Sequence, residues 1–185
     1  IFMSFREGID DQGTYYKINE VAGTTPIIFI HGVGLDHSIW SPQVDFFKNS
    51  TTIVYDLLGH GLSTCTSDKI EFEDFSKQID GLLQILKIQK VIVIGFSLGG
   101  LIAAHYSSTR KNHIEKVILF GTIFNRPEEQ QKNAAERFMQ VKETYLNASH
   151  QLDRWFSKEF LDANANIAEK ITKILDNNSH EDFLK

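Results

Sequence analysis

Gly95-Phe96-Ser97-Leu98-Gly99 sets a hydroxyl between two glycines. It follows the apolar run Val91-Ile92-Val93-Ile94 directly and precedes Leu101-Ile102-Ala103-Ala104 closely. A serine held in a sharp strand-to-helix turn is crowded by its neighbours, and glycines two residues to either side relieve the clash. The side chain then projects from the carboxyl end of the strand, beside the backbone N–H of the next residue. The chemistry such a turn serves is acyl transfer: the hydroxyl attacks a carbonyl carbon, and backbone amides meet the developing oxyanion. The plain alternative is a glycine-rich turn around a buried serine. A dinucleotide fingerprint would need glycine at position 97, and a phosphate loop of the Walker kind would need Gly-Lys-Ser/Thr, which is absent.

Such a turn needs a sheet to present it. Residues 2–7 and 14–18 read as two short strands around the turn Asp10-Asp11-Gln12-Gly13. Residues 26–32, 51–56 and 90–96 are near-continuous apolar runs, the pattern of strands buried on both faces, and 115–121 is a further strand. Helical spacing appears at 38–47, with Trp40, Val44 and Phe47 on one side. It returns at 71–88, with Phe75, Ile79, Leu82, Leu83 and Leu86 in one stripe, and again at 98–108. Strands alternating with helices predict an α/β fold, a doubly wound and mostly parallel sheet. From Asn125 the character changes to helix alone: 125–146, about 149–161 and 166–176.

Composition narrows the function classes. The 185 residues are 42% hydrophobic and 23% charged, ordinary for a soluble globular domain. A formal net charge of −5 without like-charge blocks gives no electrostatic basis for nucleic acid or an anionic membrane. No run is long and apolar enough to span a bilayer. With Cys65 alone no internal disulfide forms, and a reducing, cytoplasmic setting is expected. His31, Asp36, His37 and His60 match no standard zinc spacing, and the stretch from Asp162 lacks the glycine and glutamate of a calcium loop, so neither a metal nor a cofactor is expected.

Two further segments stand beside the serine turn: His31-Gly32-Val33-Gly34 after one strand and Asp56-Leu57-Leu58-Gly59-His60-Gly61-Leu62-Ser63 after another. With G-x-S-x-G-G at 95–100, the chain resembles the α/β-hydrolase superfamily, in particular its small esterase and lactonase branch. The resemblance covers residues 1 to about 124, and it carries roles onto matching positions. It makes Ser97 the nucleophile and Leu98 one backbone donor of the oxyanion hole. It makes Val33 the second donor, and His31, Asp56, Gly59, His60, Gly61 and Ser63 structural. Phe96, Ile123 and Phe124, near the carboxyl ends of strands, are candidates for an acyl pocket.

The resemblance also implies an order of serine, then acid, then histidine along the chain. From Val117 onward, where the acid could follow the next strand, no carboxylate occurs before Glu128. His105 lies eight residues into the following helix, about 12 Å along its axis. His113 belongs to the opposite end of the sheet, and His150 and His180 fall in the helical stretch. Residues 1–124 are therefore expected to form an incomplete core whose last strands are absent, and 125–185 a helical cap. The expected function is serine hydrolysis of a carboxylic ester or lactone, with base and acid from a missing C-terminal part. The alternative is a catalytically inactive scaffold that binds or interacts. The expected partner is a small ester or lactone, with self-association or a complementing chain at the edge formed by 115–120.

Overall fold

Ile27-Ile28-Phe29-Ile30 forms strand β3, and its side chains divide the molecule. Ile28 and Ile30 pack toward one layer and Ile27 and Phe29 toward the other, as the two-residue period of a strand requires. The structure, a computed structural model, describes residues 3–144 and 148–184. The other strands are β1 (Met3–Ile9), β2 (Tyr15–Val21), β4 (Thr52–Tyr55), β5 (Val91–Phe96) and β6 (Ile114–Phe120). They form one sheet of order β1-β2-β4-β3-β5-β6. The β4-β3-β5-β6 portion is parallel, and β2 and β1 extend it as an antiparallel hairpin.

One face is covered by α2 (Phe72–Ile85) and α3 (Leu98–Thr109). The expected stripe Phe75, Ile79, Leu82, Leu83 and Leu86 is buried there against Ile28, Ile30, Ile53, Tyr55 and Val93. Each such side chain contributes roughly 1.5–3 kcal/mol on removal from water. Glu71 and Asp74 close a reciprocal capping box at the start of α2. The other face carries a 3-10 turn (His37–Trp40) and α1 (Ser41–Phe46), which place Trp40 on Phe29 with ring centroids 5.0 Å apart. That cover is short. Strands β3 and β4 are buried on both faces, whereas β5 is buried on the α2/α3 side only and half-buried on the other, unlike the two-sided burial its apolar run suggests.

Beyond β6 the described residues are helical: α4 (Glu128–Thr144), α5 (Ala148–Trp155), α6 (Lys158–Ala163), α7 (Ala165–Asp176) and α8 (His180–Phe183). The single helix expected over 149–161 is two helices. Ser157 is extended and its Oγ accepts from the Phe160 N–H, so it starts a new helix where the periodicity continues unbroken. Leu152, Ile174 and Leu175 are buried in this helical segment. At the far edge of the sheet β6 has no further strand among the described residues, and Ile118, Leu119 and Phe120 are 47%, 48% and 62% exposed.

Candidate active site

Ser97 sits between the end of β5 and the start of α3 with φ 53° and ψ −115°, a left-handed conformation that a side chain rarely adopts. Strain of this kind is of order 1–3 kcal/mol and persists only where the surroundings hold it. Here they do. The Ser97 N–H donates to the Phe120 carbonyl at 2.9 Å, and the Ser97 carbonyl accepts from Thr122 Oγ1 at 2.8 Å and from the Gly100 N–H at 3.0 Å. The flanking glycines are required by close approach. A methyl on Gly95 would lie 2.7 Å from Gly100 N and nearer still to the Gly99 carbonyl, and one on Gly99 would lie 2.6 Å from the His31 carbonyl oxygen. So the spacing of the motif follows from α3 being pressed onto the ends of β5 and β3.

The loop after β3 forms the opposite wall, so close that a methyl on Gly32 would stand 3.2 Å from Ser97 Cβ. Its conformation is set by His31, which is fully buried. The Leu57 N–H donates to His31 Nε2 at 3.0 Å, leaving Nδ1 as the protonated nitrogen that donates to the Gly32 carbonyl at 2.8 Å. Burial and the neighbouring His60 push this imidazole down to about 3, so it stays neutral at physiological pH. The Gly32 carbonyl also accepts from the Leu35 N–H. In a trans peptide C=O and N–H point in opposite directions, so tying back the Gly32 carbonyl turns the Val33 N–H away from the His31 ring. Among the described residues neither the Val33 nor the Leu98 N–H has a hydrogen-bond partner, nor has Ser97 Oγ. The Leu98 amide also lies at the N-terminus of α3, where the helix dipole favours negative charge.

A cavity of about 500 Å³ opens over the serine. It is lined by Gly32, Val33, Phe96 and Ser97, by Leu35 and Ile39, and by Arg154, Trp155, Phe156 and Ile171 of the helices that follow β6. Ser97 and Val33 line this chamber together, and the unpaired Leu98 amide is the next along the chain from the serine. Of the expected pocket residues Phe96 lines the cavity, its ring tilted against that of Phe120 at 5.8 Å between centroids. Ile123 and Phe124 do not line it: the chain turns at Gly121 and leaves Phe124 fully exposed and Ile123 39% exposed.

The turn after β4 is a brace. Asp56 is buried, and its carboxylate accepts from the His37 N–H at 2.7 Å, from His37 Nδ1 at 2.8 Å and from the Leu62 N–H at 2.8 Å. Burial raises the Asp56 carboxyl, but the hydrogen bonds from His37 and Leu62 outweigh it and hold it below the usual aspartate value. Ser63 Oγ donates to the Asp56 carbonyl at 2.6 Å. The motif spacing marked this turn, but the union of His37 with Asp56 was not legible from it.

A family model described as "alpha/beta hydrolase fold" matches residues 25–168. The chain belongs to the α/β-hydrolase family. Curated relatives of this α/β-hydrolase include the "(E)-2-((N-methylformamido)methylene)succinate hydrolase" of Acinetobacter baylyi, 28% identical over 79% of this chain and 56% of the relative. They also include "3-oxoadipate enol-lactonase 1" of the same species, 30% identical over 86% of this chain and 60% of the relative. The chain thus spans well under two thirds of the length of either. The solved enol-lactonase from Burkholderia xenovorans shares the fold, with a TM-score of 0.85 and 23% identity over 92% of this chain and 67% of that one. Relatives and structural neighbours thus include hydrolases named as enol-lactonases and carboxylesterases.

In this α/β-hydrolase none of the other histidines bonds Ser97 Oγ among the described residues. His105 Nδ1 is 3.0 Å from Ser76 Oγ between α2 and α3. His113 bonds the Gln89 carbonyl before β6, at the other end of the strands. His180 opens α8, which rests on Gly59 of the turn after β4. The side chain of His150 lies outside the described residues. No group of three or more histidine, cysteine or acidic side chains able to hold a metal occurs among the described residues, and no described helix is long and apolar enough to cross a membrane. Two residues that sequence reasoning did not single out, Arg154 and Trp155 at the end of α5, line the cavity.

Proposed function

We propose that this chain carries the nucleophile and oxyanion hole of a serine hydrolase for a carboxylic ester or lactone. Ser97 Oγ attacks the acyl carbon and the carbonyl oxygen becomes the oxyanion, held by the Val33 and Leu98 amides. The alcohol leaves with a proton, and water releases the acid from the acyl-serine. Each oxyanion donor is worth about 2.7–4 kcal/mol in such a step. The observation that supports this best is the strained Ser97 with an unpartnered hydroxyl in the wall of the cavity it shares with Val33. Two relatives hydrolyse, by name, a succinate derivative and an oxoadipate enol-lactone.

A base must take the serine proton, and a carboxylate must hold that base. We assign both to the portion of the protein that corresponds to the relatives' additional length. That portion also covers the β6 edge with a further parallel strand, where Ile118, Leu119 and Phe120 are exposed. The lone Cys65 fits a cytoplasmic setting. One observation favours a second reading for these 185 residues by themselves, a binding scaffold without turnover: among the described residues no imidazole bonds Ser97 Oγ.

A fluorophosphonate probe and a short p-nitrophenyl ester separate the two. Labelling and turnover that disappear in Ser97→Ala establish the hydrolase. A probe that never marks Ser97, in this chain or in a longer one, establishes the scaffold.

A further inference from the structure

The chain's arginines are Arg6, Arg110, Arg126, Arg137 and Arg154, and they fall into two groups. In the core Arg6 pairs with Glu20 at 3.1 Å, and Arg110 pairs with Glu73 and, at 3.0 Å, with Asp80. In the cap Arg126, Arg137 and Arg154 have no carboxylate within ion-pairing distance among the described residues. Acids are at hand there, since Lys158 pairs with Asp162 and Lys173 with Glu169, each at 2.7 Å. Neither Arg137 nor Arg154 has an acidic residue three or four positions away in either direction, where a helix would pair them.

All three unpaired arginines line one cavity of about 230 Å³ beneath α4 and α5. Val33, Arg154 and Trp155 also line the chamber over Ser97, so the two spaces adjoin. Gathering like charges is unfavourable without an anion between them. The strain is visible in Arg154, whose guanidinium is pushed below its usual value first by partial burial and then by the charge of Arg137. Its guanidinium carbon stands 6.0 Å from the centre of the Trp155 ring, which steadies the side chain. In a chain of net charge −5 this is a local reversal of sign next to the serine.

We propose that Arg126, Arg137 and Arg154 bind a carboxylate carried by the substrate, while its scissile carbonyl lies at Ser97 in the adjoining chamber. The proposal rests on the hydrolase reading and names its substrate class: esters or lactones with a free carboxylate away from the reacting carbonyl. The planar guanidinium fork matches a carboxylate through two parallel hydrogen bonds, and several forks fix its direction. A neutral substrate of equal size would leave the three charges uncompensated.

Adipate serves as a non-hydrolysable probe, with dimethyl adipate and inorganic phosphate beside it, in titration calorimetry on this chain. All three arginines are exposed enough for Arg126→Gln, Arg137→Gln and Arg154→Gln to fold, and Arg6→Gln is the control. Adipate is expected to bind and its dimethyl ester not to. Each cap variant is expected to weaken adipate by about tenfold or more, and R6Q to leave it unchanged. Adipate is also expected to slow fluorophosphonate labelling of Ser97 in the parent chain but not in R154Q. Absent adipate binding, binding indifferent to the three substitutions, or phosphate bound as tightly as adipate overturns the proposal. Failure of Ser97 to label both in this chain and in a longer one that includes the relatives' additional length overturns the hydrolase reading instead, and the calorimetry then decides the arginine site alone.

Discussion

The Leu57 N–H donates to His31 Nε2 at 3.0 Å, so the loop after β4 fixes the ring that fixes the loop after β3. The bond requires a neutral ring, and burial holds the folded value at about 3 against an ordinary 6.5. The unfolded chain therefore binds a proton at His31 that the folded chain refuses between those two values. Stability from this residue is complete above about pH 6.5 and declines as pH falls toward the folded value, with a slope approaching about 1.4 kcal/mol per pH unit. His60, also lowered by burial, acts in the same direction. Thermal unfolding from pH 8 to pH 4 is expected to show a loss that begins near neutrality. His31→Asn is expected to be less stable at pH 8 by about 1–3 kcal/mol and to have a shallower slope. Identical slopes would refute the assignment.

Asp56 gives a different acid signature. Its folded value is depressed, so its contribution is present above the ordinary aspartate value and disappears as pH falls through the folded one. Asp56→Asn removes an acceptor from a buried carboxylate with three donors and is expected to cost about 3 kcal/mol or more at neutral pH. Denaturant titration reads this directly, and a change below about 1 kcal/mol would contradict the bracing role.

Backbone strain at Ser97 predicts an order among substitutions. Ser97→Ala keeps the left-handed conformation and its strain, whereas Ser97→Gly releases it, so the glycine variant is expected to be the more stable by about 1 kcal/mol or more. Both lose probe labelling. Melting temperatures of the two proteins test the order.

At Gly99 the obstacle is contact. A methyl there meets the Ile30 and His31 carbonyls, which belong to a central strand and its loop and have nowhere to move. Gly99→Ala is expected to destabilise by at least about 3 kcal/mol. Gly23→Ala, at φ 79° with open space around it, should cost about 1 kcal/mol. Equal losses at the two sites would contradict the close approach at position 99.

The uncovered β6 strand makes a further prediction. An exposed apolar edge is a template for pairing. Sedimentation velocity of these 185 residues is expected to show concentration-dependent association, which Ile118→Lys reduces. A monodisperse monomer at high concentration would overturn it.

What could be read in the sequence follows the range of the forces involved. The serine turn was legible because its glycines answer a clash within a few residues, and the strands because burial leaves an apolar run. The break at Ser157 was not, since one hydroxyl capping Phe160 leaves the helical period unchanged. The solvent-facing direction of Phe124 depends on the turn at Gly121, and Asp56 meets His37 only because β3 and β4 lie side by side. The three arginines left half a trace: the lack of acidic neighbours along the helix at Arg137 and Arg154 was written in the chain, but the convergence of all three on one cavity was not.

The cap holds the core by its main chain. Asn178 Nδ2 donates to the Gly34 carbonyl at 2.8 Å, Asn178 Oδ1 accepts from the Gly61 N–H, and Lys170 Nζ donates to the Ser38 carbonyl at 2.7 Å. Main-chain atoms are the same whatever residue carries them. Substitutions on the core side of the seam therefore leave these tethers in place, whereas the opposite side must keep the side chains of Asn178 and Lys170, so freedom to vary is unequal across it.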